Sequence, residues 1–180
     1  AARAARLVRQ ALASTCHTLA EVTAVGVCSP GLLDFERGVV RVAANIRWKD
    51  VPLTELLAGA LQVDPAVVVL EHDGNTALLA EVWVGAAKGK RDAVLLTLGT
   101  GIGAGVMVDG SLLRGSQGEA GELGHTIAVP DGRAHGGAGV AGILEGYASA
   151  TAVVAIAAEL GIPALHGRTD FTCEEVFQLA

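Results

Sequence analysis

An apolar run, Leu95-Leu96-Thr97-Leu98, enters a glycine-dense stretch, Gly99-Thr100-Gly101-Ile102-Gly103-Ala104-Gly105, and leaves through Val106-Met107-Val108 to Asp109-Gly110. A strand thus runs into a tight corner and out into a second strand, which commits this part of the chain to a sheet. Glycine has no Cβ and reaches positive φ at little cost. The amides of Gly99, Thr100, Gly101 and Gly103 can therefore face one concavity that favours an anion, typically phosphate, with the Thr100 hydroxyl as a further donor. Taken alone, the pattern serves equally as a hairpin whose glycines only turn the chain.

Around this corner the chain of 180 residues is 51% hydrophobic, enough to bury a core in one domain or two small ones. A net charge of -6 with no cluster of Lys and Arg argues against a nucleic-acid surface on this segment. Arg3, Arg6 and Arg9 recur every three residues, the solvated stripe of a helix over residues 4–20 whose other face carries Val8, Leu12 and Leu19. The apolar run Gly146 to Ala158 falls short of the roughly 20 residues a bilayer span needs, so no membrane contact is expected. No signal peptide is visible, and Cys16, Cys28 and Cys173 are scattered; a reducing cytoplasm without a disulfide framework follows. Cys16 and Cys28 read as small core residues.

In chain order, the patterning predicts a strand over Val22 to Cys28, closed by Ser29-Pro30-Gly31, and a hairpin over Leu32 to Arg41. A loop with Asn45 and Trp48 precedes a helix that starts near Asp50 and Pro52 and covers Leu53 to Leu61. Val67-Val68-Val69-Leu70 reads as a strand buried on both faces of a largely parallel sheet, delivering Glu71-His72-Asp73 at its carboxyl end. A helix opens at Gly74-Asn75-Thr76 with Leu78, Leu79, Val82, Trp83 and Ala86 on its apolar face. The polar connector Lys88 to Asp92 divides the α/β chain into residues 1–90 and 91–180. Beyond the corner come a second glycine-rich run, Gly115 to His125, a short strand, a glycine and alanine loop over Gly132 to Gly142, and a long helix from Ile143 to Leu160. Thr172 caps a last helix, Cys173 to Ala180.

Among the polar residues, Asp73 stands where a strand delivers a carboxylate to a cleft, suited to accepting a proton from a sugar hydroxyl, although Asp also favours a helix N-cap. Glu122 and His125, three apart in a glycine-rich loop, could orient a polyhydroxylated ligand, with Glu145 at the start of a helix.

The order L-T-L-G-T-G-I-G-A-G-V from Leu96 to Val106, D-G-S-L-L-R-G, G-E-A-G-E-L-G-H ending at His125, and L-E-G-Y-A-S from Leu144 to Ser149 resembles the ROK family of sugar kinases and sugar-responsive repressors. The resemblance takes in Val25 to Gly31, Asn45 with Trp48, and Glu71 to Asn75, most of the chain from about residue 20 to 150. It implies an actin-like, ribonuclease-H-like fold: a smaller α/β domain (1–90) and a larger one (91–180) closing on a hexose, with ATP and Mg²⁺ at the glycine loop. By the same resemblance Asp73 is the catalytic base, and Asn45, His72, Glu122, His125 and Glu145 contact the sugar. Gly99, Thr100, Gly101 and Gly103 form the second phosphate loop. Family members usually carry Asn where this chain has His72, a change of shape and charge that bears on sugar preference.

Two further departures bear on function. Family members hold a structural zinc through the His of G-H and three cysteines, whereas the aligned positions here are Gly136, Ala138 and Ile143, leaving His125 with the nearby His135. Two imidazoles do not make a four-ligand site, so no structural zinc is expected. The family's Asp-Gly-Gly-Thr strand is not found before Ala1, and its adenine-pocket segments lie beyond Ala180, which implies the middle of such a protein, inactive on its own. The implied function is a hexose kinase core, such as a glucokinase, acting as a homo-oligomer. The alternatives are the sugar-sensing effector domain of a repressor and a catalytically impaired pseudokinase.

Overall fold

The computed structural model describes residues 1–134, 139–162, 165, 167–168 and 170–179. Its first element, α1 (Ala2–Ser14), stops six residues short of the expected helix over 4–20. Hydroxyls end it: Ser14 Oγ donates to the Ala11 carbonyl at 2.7 Å and Thr15 Oγ1 to the Leu12 carbonyl at 3.0 Å. Cys16 then takes a left-handed conformation (φ 59°), and a separate 3₁₀ turn, Leu19–Glu21, begins where the Thr18 amide donates to the Glu21 carboxylate.

Strand β1 (Val25–Ser29) pairs in parallel with β5 (Val68–His72), from Val25 opposite Val68 to Ser29 opposite His72. Between them lie β2 (Leu32–Asp34), β3 (Val39–Ala43) and β4 (Trp48–Val51), an antiparallel sheet, followed by α2 (Leu53–Leu61). Strand β4 occupies the stretch read as loop and helix start. Leu57, Ala58 and Leu61 of α2 pack with Ala5 of α1 and Val68 of β5, while Leu33, Val40, Ala43, Leu53 and Leu70 form an adjoining cluster. Arg3, Arg6 and Arg9 are exposed as expected, and from that stripe Arg9 also donates to the Leu61 carbonyl at 2.9 Å, satisfying the end of α2.

Strand β5 is covered on one face only. Val68 and Leu70 are buried against α2 and the hairpin sheet, but Val69 is 58% exposed, on the face it shares with Gly26 and Cys28 of β1. Burial on both faces is thus corrected, as is the core placement of Cys16 and Cys28, both exposed.

Helix α3 (Asp73–Val84) leaves β5 directly and packs across β6 (Ala93–Leu98) and β7 (Ile102–Val108). These two strands form the expected hairpin, antiparallel from Ala93 opposite Met107 to Leu98 opposite Ile102, and the short β8 (Ser111–Leu112) adds to β7. The largely parallel sheet of the sequence reading is therefore one parallel pair with two antiparallel three-stranded sheets. Of the expected apolar face of α3, Leu78 is buried while Leu79 and Trp83 are exposed, Trp83 at 78%. Backbone approach decides the orientation. A Cβ on Gly74 would overlap the Ala104 carbonyl oxygen, and one on Gly105 would stand 2.6 Å from the Gly74 carbonyl oxygen. The helix therefore turns its small residues, not its widest apolar stripe, toward β7.

The long helix expected from Ile143 to Leu160 is two: α4 (Glu145–Ala148) and α5 (Ala150–Leu160). Ser149 breaks it by adopting extended backbone (ψ 158°), its Oγ accepting the Ala152 amide to cap α5. Helix α6 (Cys173–Gln178) is capped by Thr172 as the sequence indicates, and the structure adds the Glu175 carboxylate, which accepts the Thr172 amide in return. Among the described residues no helix is long and apolar enough to cross a membrane.

Gly74→Ala is expected to cost about 1–3 kcal/mol, because the methyl meets backbone that has nowhere to go. Gly59→Ala, in α2 with nothing within 4 Å of an added Cβ, is expected to gain about 0.5–1 kcal/mol. Urea denaturation of both checks this; equal effects would refute the close-approach account.

Candidate functional site

Asp73 opens α3 at the carboxyl end of β5, but the cap of that helix is His72. The Gly74 amide donates to His72 Nδ1 at 3.2 Å and to Asp73 Oδ1 at 2.8 Å. With Nδ1 accepting, a neutral ring carries its proton on Nε2, which faces Glu122 Oε1 at 3.8 Å. His72 is nearly buried, whereas the Asp73 side chain is 51% exposed.

Behind this pair, Glu71 Oε1 accepts from the His72 amide and from Asn75 Nδ2, each at 2.9 Å. Its Oε2 takes two bonds from Arg114, that from Nε at 3.0 Å, and the Arg114 guanidinium lies 5.4 Å from the centre of the Phe35 ring. Burial opposes ionisation of Glu71, yet the bonds from Arg114, Asn75 and the His72 amide outweigh it and hold the carboxyl below the ordinary glutamate range. Arg114 thereby joins the loop that follows β8 to the strand that leads into Asp73.

That loop carries Glu122 and His125 against β7. A Cβ on Gly121 would stand 2.6 Å from the Ala104 carbonyl oxygen, and one on Gly124 would overlap that of Ile102. The Ala104 peptide is thus approached closely by Gly74 and by Gly121.

The glycine corner is sewn to α4 and α5. The Ala150 amide donates to the Gly99 carbonyl at 2.9 Å, Thr151 Oγ1 to the Thr100 carbonyl at 2.8 Å, and the Ile102 amide to Glu145 Oε2 at 2.6 Å. Gly99, Gly101 and Gly103 do not use positive φ, which corrects the physical reason read from the sequence. Two of them are needed for space: a Cβ on Gly101 would stand 2.5 Å from Glu145 Oε2, and one on Gly103 2.8 Å from Thr97 Oγ1. The Gly99 amide is engaged within the corner, donating to the Gly101 carbonyl at 2.9 Å.

One cavity of about 980 Å³ gathers these groups. Asn45, from a 3₁₀ turn after β3, lines it with His72, Asp73, Gly99, Thr100, Gly101, Gly103, Glu122, His125 and Glu145, so every residue singled out in the sequence borders one space. Thr97, Thr151, Arg133 and Glu159 border it as well and were missed. Thr151 follows the L-E-G-Y-A-S motif by two residues and was within reach of it. Arg133 and Glu159 pair through two bonds across 26 residues, which no local pattern announces. The Arg133 amide also donates to Tyr147 Oη at 2.9 Å, and the amides of Ala128 and Val129 to the Gly142 carbonyl, so packing and hydrogen bonds order the flanks of this loop. His135, Gly136 and Ala138 lie outside the described residues; Ile143 is buried and bridges Ile127. Among the described residues no group of three or more His, Cys, Asp or Glu could hold a metal ion.

Comparison with known proteins gives a consistent picture. The sequence profile of the ROK family matches residues 5–180. A glucokinase of Thermotoga maritima is 46% identical over 134 residues, 74% of this chain and 41% of that protein. A xylose repressor of Caldicellulosiruptor bescii is 31% identical over 155 residues, 86% of this chain and 38% of that protein. Among solved structures, a ROK family glucokinase from Streptomyces griseus in complex with glucose and AMPPNP superposes with a TM-score of 0.71 at 36% identity, over 89% of this chain and 50% of that one. The chain therefore spans about two fifths of the length of the curated relatives it matches.

A carboxyl with a depressed pKa stabilises the fold above its unfolded value of 4.5, and that contribution disappears as pH falls through the lower folded value. Arg114→Ala should therefore lower Tm most near neutral pH, with the deficit narrowing below about pH 4. A pH-independent deficit in thermal melts would show that the pair acts by packing alone. Elemental analysis of the purified protein is expected to find no stoichiometric structural zinc, and one tightly held zinc per chain would overturn that.

Proposed function

The chain belongs to the ROK family, and on that premise we propose that it forms the core of an ATP-dependent sugar kinase acting on a hexose such as glucose. Its fold is the actin-like α/β fold of that family. One observation carries the proposal: residues from separate segments, Asn45, Asp73, Thr100, Glu122, His125 and Glu145, border a single cavity that also holds the glycine corner.

In this reading Asp73 is the general base. One carboxylate oxygen is held by the Gly74 amide, and the half-exposed group accepts the proton of the attacking hydroxyl as its oxygen bonds the γ-phosphorus and ADP departs. Asn45, Glu122, His125 and Glu145 fix the hydroxyl pattern of the hexose, and His72, at the rim of Asp73 and Glu122, shapes the same pocket. Thr100 and the glycines of the corner face the phosphates. Mg²⁺ enters with ATP as part of the substrate and neutralises phosphate charge. The work takes place in the cytoplasm.

A second reading, the sugar-sensing effector domain of a repressor, is favoured by the likeness to the xylose repressor over 86% of the chain. Such a sensor needs the hexose contacts and not the base.

In the intact protein, Asp73→Asn is expected to lower turnover about 10²-fold or more with hexose affinity nearly unchanged. Glu122→Ala is expected to weaken hexose binding roughly tenfold to a hundredfold, the loss of a bond to a charged group. Coupled-assay kinetics and calorimetry with glucose, mannose and N-acetylhexosamines measure both. Hexose binding without phosphorylation by the parent would favour the sensor; no hexose binding would remove the sugar site altogether.

A further inference from the structure

The three peptides of the glycine corner are each oriented by a different bond. Every described peptide is trans, so the C=O and N–H of one unit point in opposite directions. The Gly99 carbonyl accepts from Ala150 and the Thr100 carbonyl from Thr151, both at the start of α5. The amides of Thr100 and Gly101 therefore point away from that helix. The third unit is held at its other end. Its carbonyl, that of Gly101, accepts from the Gly99 amide, and its N–H, that of Ile102, donates to Glu145 Oε2 at 2.6 Å. The absence of a Cβ at Gly101 leaves the space this carboxylate occupies, 2.5 Å from where the Cβ would stand.

We infer that Glu145 is a positioning residue for the phosphate side of the cavity: through the Ile102 amide its carboxylate fixes the corner that receives the nucleotide. This rests on the kinase reading above and extends the role of Glu145 beyond the hexose contact. Two of the three peptides are tied to α5 regardless of Glu145; the third is tied by Glu145, and it closes the corner through the Gly99–Gly101 bond. Without the carboxylate, the 101–102 peptide keeps only the bond from the Gly99 amide, and the side of the corner away from α5 loses its anchor.

The test separates the two roles by chemistry. Gln at this position keeps an oxygen that accepts from Ile102 and loses the charge; Ala loses both. Calorimetry with AMP-PNP in the absence of sugar is expected to show Glu145→Ala weakened about tenfold or more, and Glu145→Gln within about threefold of the parent. Thr151→Val, which removes only the bond to the Thr100 carbonyl, should weaken AMP-PNP several-fold and leave glucose affinity unaltered. Amide exchange at Ile102 should quicken in Glu145→Ala and stay slow in Glu145→Gln. If the parent binds AMP-PNP and Glu145→Ala binds it as tightly, or if Ile102 exchange is the same in all three, the inference is wrong and the kinase reading stands. If the parent binds no AMP-PNP, both fall together.

Discussion

The cavity exists because the segments that meet β7 carry no side chain at their points of contact. Along β7, the carbonyls of Ile102 and Ala104 are met by Gly124, Gly121 and Gly74, each at a distance that a Cβ would forbid. Each of those glycines stands beside a polar residue of the cavity: Gly74 after Asp73, Gly121 before Glu122, Gly124 before His125. The polar groups are placed by their neighbours, since backbone packed on backbone leaves a side chain one residue away little latitude. A larger residue at any of these contacts would displace a wall of the cavity as well as lower stability.

Electrostatics complete what the close packing begins. The cavity collects Asp73, Glu122 and Glu145, carboxylates that repel one another unless each has a donor. Gly74 supplies one to Asp73, the Ile102 amide one to Glu145, and the His72 ring lies between Asp73 and Glu122. Glu71, behind them, is neutralised by Arg114 and kept out of the cavity. Backbone amides, whose positions follow from the fold, thus carry much of the compensation.

Much of this was legible in the sequence, for reasons that differ by element. The bounds of α2 and the β6–β7 hairpin follow from signals within a few residues, Pro52 before Leu53 and the glycine corner between apolar runs. The residues of the cavity were recognisable because the motifs keep their order. Where the reading failed, a competing interaction decided: hydroxyls of Ser14 and Thr15 ended α1, Ser149 split the last long helix, and the glycine contacts with β7 left Trp83 and Leu79 outside. Arg114 with Glu71, and Arg133 with Glu159, join segments 43 and 26 residues apart, and no local pattern encodes such pairings.

The stitching of the corner has a kinetic side. Ile102 reaches Glu145 across 43 residues, and Thr151 reaches Thr100 across 51, whereas the hairpin that carries the corner closes over a handful. Local contacts form early and long loops close late. The β6–β7 hairpin therefore folds with its tip unanchored, and the tip acquires its final shape only when the start of α5 docks. Maturation of the cavity is a late event, and substitutions that slow the docking of α5 would delay the appearance of binding after the bulk of the secondary structure has formed.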